Sequence, residues 1–165
     1  MIDRVSVDVR GVFLHPKSGS PLVFLANTNE TLVLPIVVGF LEAQAILFAQ
    51  HGDLLSRPMT HDFLTTVLKI LGSRVREIEI TDLVDSTFFA LLTLEDHATT
   101  MHQIDTRPSD AIALALRMNA PMYVHRGVFT KAGESIREAK ALLDYLRLET
   151  EDQQKQHNEK TTKTS

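Results

Sequence analysis

Apolar residues change their spacing several times along this chain, and each change marks an element. Val5, Val7 and Val9 alternate with Ser6, Asp8 and Arg10, the period of two that turns one face of a strand toward a core. Residues 15–21 carry turn chemistry, and residues 22–26 and 32–38 follow as two more strands separated by Asn27-Thr28-Asn29-Glu30. Connections this short favour an antiparallel meander. From Gly39 the spacing becomes helical and runs to about Gln50, closed by His51-Gly52. Apolar side chains cover most of that helix, with Glu42, Gln44 and Gln50 as the exceptions. Arg57-Pro58-Met59 introduces a second helix. Thr60 is expected as its N-cap, Phe63, Leu64, Val67, Leu68 and Leu71 as its apolar set, and Gly72 as its stop.

Val75, Ile78 and Ile80 suggest a strand whose phase slips between Val75 and Ile78. A turn at residues 83–87, a strand at 88–95 and a short strand at 101–104 come next. The chain is organised around residues 104–118. A polar turn, Asp105-Thr106-Arg107-Pro108, feeds a helix with Ser109 as expected N-cap and Asp110 in its first turn, where a carboxylate suits the positive end of the helix dipole. Ala111 to Leu116 are all apolar, so this helix should be buried on nearly every side. Asn119 can adopt the left-handed conformation that ends it, and Pro121 prevents its continuation. A strand at 122–124 and a last helix at 135–148 complete the pattern, which predicts a domain over 1–149. From about Thr150 the apolar residues stop, and the segment 150–165 reads as a disordered or frayed polar tail.

Composition narrows the function. The 165 residues are 44% hydrophobic and 23% charged, enough for one ordinary core. A formal net charge of −4 lacks the basic excess that advertises nucleic-acid or membrane affinity. The absence of Cys excludes disulfides, thiolate metal sites and Cys nucleophiles. No apolar run approaches the roughly 18–20 residues that span a bilayer, so a soluble, cytoplasmic protein without membrane association is expected.

Carboxylates at helix starts are the candidate chemistry. Glu42, Asp62 and Asp110 either complement helix N-termini or hold a metal. Asp105 caps nothing obvious and either pairs with Arg107 or points into a site. His61 is either a solvent-facing residue or a general base or ligand, since imidazole titrates near neutrality. Arg107 either forms a structural salt bridge or clamps a phosphate through its planar fork. Arg57-Pro58-Met59-Thr60-His61-Asp62 and Arg107-Pro108-Ser109-Asp110 echo one another as helix beginnings, although the surrounding letters do not align. No phosphate-binding loop, nucleophile elbow, zinc-protease motif or dinucleotide fingerprint occurs.

The sequence resembles the bifunctional nuclease domain family. The resemblance rests on Leu34-Pro35-Ile36-Val37-Val38-Gly39, Glu42-Ala43-Gln44-Ala45-Ile46, Arg57-Pro58-Met59-Thr60-His61-Asp62, Ile80-Thr81-Asp82-Leu83, Thr87-Phe88-Phe89-Ala90 and the run from Ile104 to Ala115. These blocks keep the family's order over roughly residues 2 to 130. Phe40-Leu41 ahead of Glu42, and a loop at 52–56 without Pro, depart from it. The resemblance implies a single-domain α+β fold, a largely antiparallel or mixed sheet with about four helices, usually oligomeric, with DNase and RNase activity in some members. It leads to the expectation of metal-assisted phosphodiester hydrolysis on nucleic acid by a homo-oligomer. Mg or Mn would be held by Glu42, Asp62 and Asp110, and His61, Asp105 and Arg107 would be catalytic. Arg57 and Arg107 would bind substrate. The alternative is a non-catalytic interaction or regulatory module in which the Arg-Pro-Ser-Asp turn is purely architectural. Two or more of these carboxylates converging in an open cleft, within about 4–6 Å of a shared point, would favour catalysis. Carboxylates already satisfied by backbone N–H groups or an Arg would favour the alternative.

Overall fold

The computed structural model describes residues 3–29, 32–52 and 55–135, which form an eight-stranded sheet and four helices. β1 (Arg4–Leu14), β2 (Pro21–Asn27) and β3 (Leu32–Val37) run antiparallel, as their short connections dictate. α1 (Phe40–His51) and α2 (Thr60–Ile70) follow, then β4 (Arg74–Val84), β5 (Thr87–Glu95) and β6 (Met101–Thr106), again antiparallel. α3 (Pro108–Met118) returns the chain to β7 (Met122–His125), and α4 (Arg126–Ala132) leads to the two-residue β8 (Glu134–Ser135). The strand order is β6-β5-β4-β7-β1-β2-β3-β8, and β4 with β7 is its parallel pair. A parallel neighbour needs a crossover, and here the crossover carries β5, β6 and α3. The fold is α+β.

The slipped phase of β4 is a bulge. Val75 faces Leu94 while Glu77 faces Thr93, so one extra residue returns Ile78 and Ile80 to the buried face. The β4–β5 hairpin turns through Asp85 and Ser86, at φ 48° and 61°, the twist-matched geometry for a two-residue connection. α3 lies against β4 and β5 and beside α1 and α2. Its Ala111, Ile112, Ala113, Leu114 and Ala115 are buried, and Asn119 ends it in the left-handed region at φ 51°. The small alanines let the neighbouring helices approach closely while Ile112 and Leu114 fill the core with Ile46, Ile78 and Ile80.

Two N-caps fall one or two residues earlier than the spacing predicts. Met59, not Thr60, is the extended residue before α2, and Asp62 accepts its N–H. Arg107, not Ser109, is the N-cap of α3, because β6 continues through Asp105 and Thr106 and Pro108 takes the first helical position. α4 and β8 have no counterpart in the hydrophobic pattern. Ser135 is a strand residue paired with Leu32 and does not begin a helix. The rest of the helix expected at 135–148, and the tail at 150–165, lie outside the described residues.

Candidate active site

The first turns of α1, α2 and α3 meet where β6 ends. β6 pairs with β5 so that Asp105 lies opposite Leu91, and Arg107 follows in extended backbone. The abrupt start of α3 at Pro108 puts Asp110 back against Arg107. Nε of Arg107 donates to Oδ2 of Asp110 at 2.6 Å and Nη2 to Oδ1 at 3.1 Å. The third corner of the guanidinium, Nη1, donates to Oε1 of Glu42 at 3.0 Å. Nε2 of His61 lies 3.1 Å from Oδ1 of Asp110, with the imidazole only 13% exposed. One Arg and one imidazole thus tie three helix beginnings together.

Behind them, Asp62 faces a different cation. Its Oδ1 accepts from Nε of Arg117 at 2.5 Å, and its Oδ2 from the Met59 N–H at 2.9 Å. Nη1 of Arg117 also donates to the carbonyl oxygens of Ala45 and Ala113, at 2.9 and 3.1 Å. Arg117, in the last turn of α3, therefore joins α1, α2 and α3. It is the only charged residue between Ala111 and Met118, the one signal by which the sequence marks it.

Electrostatics follow the contacts. Burial alone would push the Asp110 carboxyl up, but hydrogen bonds from Arg107 and His61 overcome it and hold the group below the ordinary aspartate range. Burial pushes Asp62 the same way, and the bonds from Arg117 and the Met59 N–H again prevail. Asp110, and then Glu42, strengthen the charge on Arg107.

A cleft of about 580 Å³ opens over this cluster. Glu42, His61, Asp105, Arg107 and Asp110 form its polar rim, and Leu64, Leu68, Leu92, Leu94 and Ile104 are prominent in its apolar wall. Asp62 and Arg57 do not line it. Arg57 is exposed. Asp105 borders the cleft through its place on β6, where it alternates with the wall residue Ile104, and it has no hydrogen bond or ion pair among the described residues. The two criteria for catalysis and for architecture are therefore each met in part. Three acids share one open cleft, yet Glu42, Asp62 and Asp110 are already engaged by arginines, an imidazole or a backbone N–H.

The same engagement decides how well the donors suit a divalent cation. Mg or Mn needs several carboxylate oxygens with free lone pairs. Both oxygens of Asp110 and of Asp62 have donors, Glu42 gives Oε1 to Arg107, and Asp105 alone is uncommitted. No group of three or more His or acidic residues is arranged to hold a metal among the described residues. In this arrangement the set does not fit a cation. What it does offer is an imidazole oriented by a carboxylate, a guanidinium 66% exposed beside it, and a free carboxylate.

Comparison with known proteins adds an independent line. A family model described as the bifunctional nuclease domain matches residues 23–137, a span that includes every residue lining the cleft. An uncharacterized protein of Mycobacterium tuberculosis (strain H37Rv) is 35% identical over 127 residues, covering 77% of this chain and 75% of that protein. Bifunctional nuclease 1 of Arabidopsis thaliana is 28% identical over 120 residues, 71% of this chain and 37% of its own length. Bifunctional nuclease 2 of Oryza sativa subsp. japonica is 30% identical over 107 residues, 63% and 32% respectively. This chain spans about a third of those plant proteins. No helix among the described residues is long and apolar enough to cross a membrane.

Proposed function

Because this chain belongs to the bifunctional nuclease domain family, we propose that its cleft hydrolyses phosphodiester bonds of nucleic acid. The observation that carries this reading is the His61–Asp110–Arg107 constellation at the rim of an open cleft. Asp110 holds Nε2 of His61, which orients the ring and leaves Nδ1 to take a proton from the attacking hydroxyl or water as the new P–O bond forms. Arg107, held by Asp110 through Nε and Nη2, turns Nη1 to a non-bridging phosphate oxygen as the old ester bond breaks and the departing oxygen takes its electron pair and then a proton from water. Asp105 stays outside the proton path, since on β6 it alternates with the wall residue Ile104. Glu42 holds the far corner of Arg107 until a phosphate takes its place. Arg57 lies outside this machinery and would touch only a longer strand. No step is assigned to Mg or Mn, since the acids expected to hold it are bound to arginines.

A second reading has its own support. The engagement of Glu42, Asp62 and Asp110, together with the acidic net charge, fits a non-catalytic nucleic-acid-binding or regulatory module. One experiment separates the two. Highly purified protein is incubated with end-labelled RNA and DNA, with and without EDTA, beside the His61→Gln variant. Cleavage that is lost by roughly 10²–10⁴-fold in the variant supports the nuclease. Binding without cleavage supports the module.

Self-association belongs to the same proposal. Phe63, Ile70 and Leu71 are 64%, 79% and 60% exposed around α2, more apolar surface than one helix of a monomer usually shows. Light scattering at micromolar concentration should report a homo-oligomer, and a monomeric mass would remove this part.

A further inference from the structure

The cleft has two unlike halves, and their mismatch constrains what enters. On the rim, Glu42, Asp105 and Asp110 outnumber the permanently charged Arg107. Such a rim gives little net attraction to a phosphate, and the chain as a whole carries −4. A duplex presents phosphates and groove edges and depends on charge neutralisation for most of its affinity. Among the described residues lining the cleft, Arg107 alone carries a fixed positive charge. The wall is the reverse. Leu64 and Ile104 are 39% and 44% exposed, and they lead down to Leu68, Leu92 and Leu94 within the same cleft. That is an apolar surface waiting for the face of a flat, weakly polar group. Its 580 Å³ lies within the roughly 300–1,000 Å³ typical of small-ligand sites. It suits a nucleotide or two and not a helix of paired strands.

We infer that the cleft selects single-stranded nucleic acid, an unpaired base lying on the Leu64–Ile104 wall while the adjoining phosphate meets Arg107. The inference rests on the nuclease reading for the role of the rim and adds the class of substrate. In a duplex both base faces are stacked and out of reach, so only a strand with unpaired bases can use the wall. No Phe, Tyr or Trp lines the cleft among the described residues, so contact is by apolar packing rather than aromatic stacking and should discriminate weakly among the four bases. Since affinity then comes from burial and not from many phosphate contacts, it should depend little on salt. One phosphate contact on a single strand gives a slope near −0.7 in log affinity against log salt.

The test uses a fluorescein-labelled 12-nucleotide strand of mixed sequence, alone and annealed to its complement, with the full-length protein. Anisotropy gives affinity and denaturing gels give cleavage. The single strand should bind and be cut about tenfold or more better than the duplex, with affinity falling only about threefold between 50 and 200 mM salt. Leu64→Ser with Ile104→Ser, at two surface positions, should weaken binding of the strand about tenfold while circular dichroism stays unchanged. Equal cleavage of the duplex overturns the inference and leaves the nuclease reading standing. Preferential binding of the strand without cleavage does the opposite. Neither binding nor cleavage removes both, and steep salt dependence with an inert wall variant removes the apolar wall as the basis of selection.

Discussion

Arg107 and Asp110 face each other across one turn of α3 in a two-pronged ion pair, and the outer corner of the same guanidinium reaches across to Glu42 on α1. Lysine has no such fork and would satisfy one oxygen at a time. Arg107 is 66% exposed, so the pair contributes little to stability, within about 1 kcal/mol. Arg107→Lys should therefore leave the urea midpoint nearly unchanged while cleavage falls by roughly 10²-fold. A large loss of stability with unchanged activity would reverse the assignment.

Arg117 is the opposite case. Its side chain is 9% exposed and binds Asp62 and two carbonyl oxygens. Arg117→Met keeps the length but removes the charged donor from Asp62 and the side-chain bonds to two helix carbonyls, which keep their backbone N–H partners. Breaking a fully buried pair costs about 3–5 kcal/mol. Asp62 is 39% exposed, so a loss of about 2–3 kcal/mol is expected in equilibrium unfolding. Activity per folded molecule should fall less than in the His61→Gln variant.

Acid should unfold this protein through the same two carboxylates. Asp62 and Asp110 both titrate below the ordinary aspartate value of about 3.9. A lowered folded pKa means that the native state releases the proton more readily. The resulting stability is fully present above about pH 4 and is lost as the pH falls through the lower folded values. Urea midpoints measured from pH 7 to pH 3 should be level and then drop. Arg117→Met should flatten that drop, and a midpoint that rises on acidification would contradict the ion pairs.

Gly39 is tied to the rim by a close approach. A Cβ there would collide with Oε2 of Glu42, which folds back over the residue preceding α1. Gly39→Ala should push Glu42 away, loosen its bond to Arg107 and change activity with little change in stability. Combining it with Glu42→Gln tests this directly. If Glu42 carries the effect, the two changes are non-additive.

Much of this arrangement was legible in the order of residues. Alternating valines and short turns pointed to the meander, and the apolar run from Ala111 to Leu116 foretold a helix buried on most sides. The slip between Val75 and Ile78 was visible too, and its cause is a bulge that only strand pairing reveals. Other features lay beyond periodicity. α4 is seven residues long and starts with a local cap, the His125 imidazole accepting from the Gly127 N–H, too short a segment to show a helical stripe. At the site, the residue types drew attention to Glu42, His61, Asp105, Arg107 and Asp110, which the fold brings to one cleft. Their partners did not follow. Whether Asp62 would face the cleft or Arg117 depends on which way one turn of α2 is rotated, and a contact 55 residues away in sequence settles that.

The parallel seam between β4 and β7 has a kinetic corollary. Closing it requires residues 78–80 to find residues 122–124 across an intervening hairpin strand, an edge strand and a helix, a non-local step of the sort that slows assembly. Every wall and rim residue from Leu41 to Leu114 is supplied by segments that this step locks together. Recovery of the proposed nuclease activity during renaturation should consequently trail the return of helical signal, making that activity a reporter of the last stage of assembly.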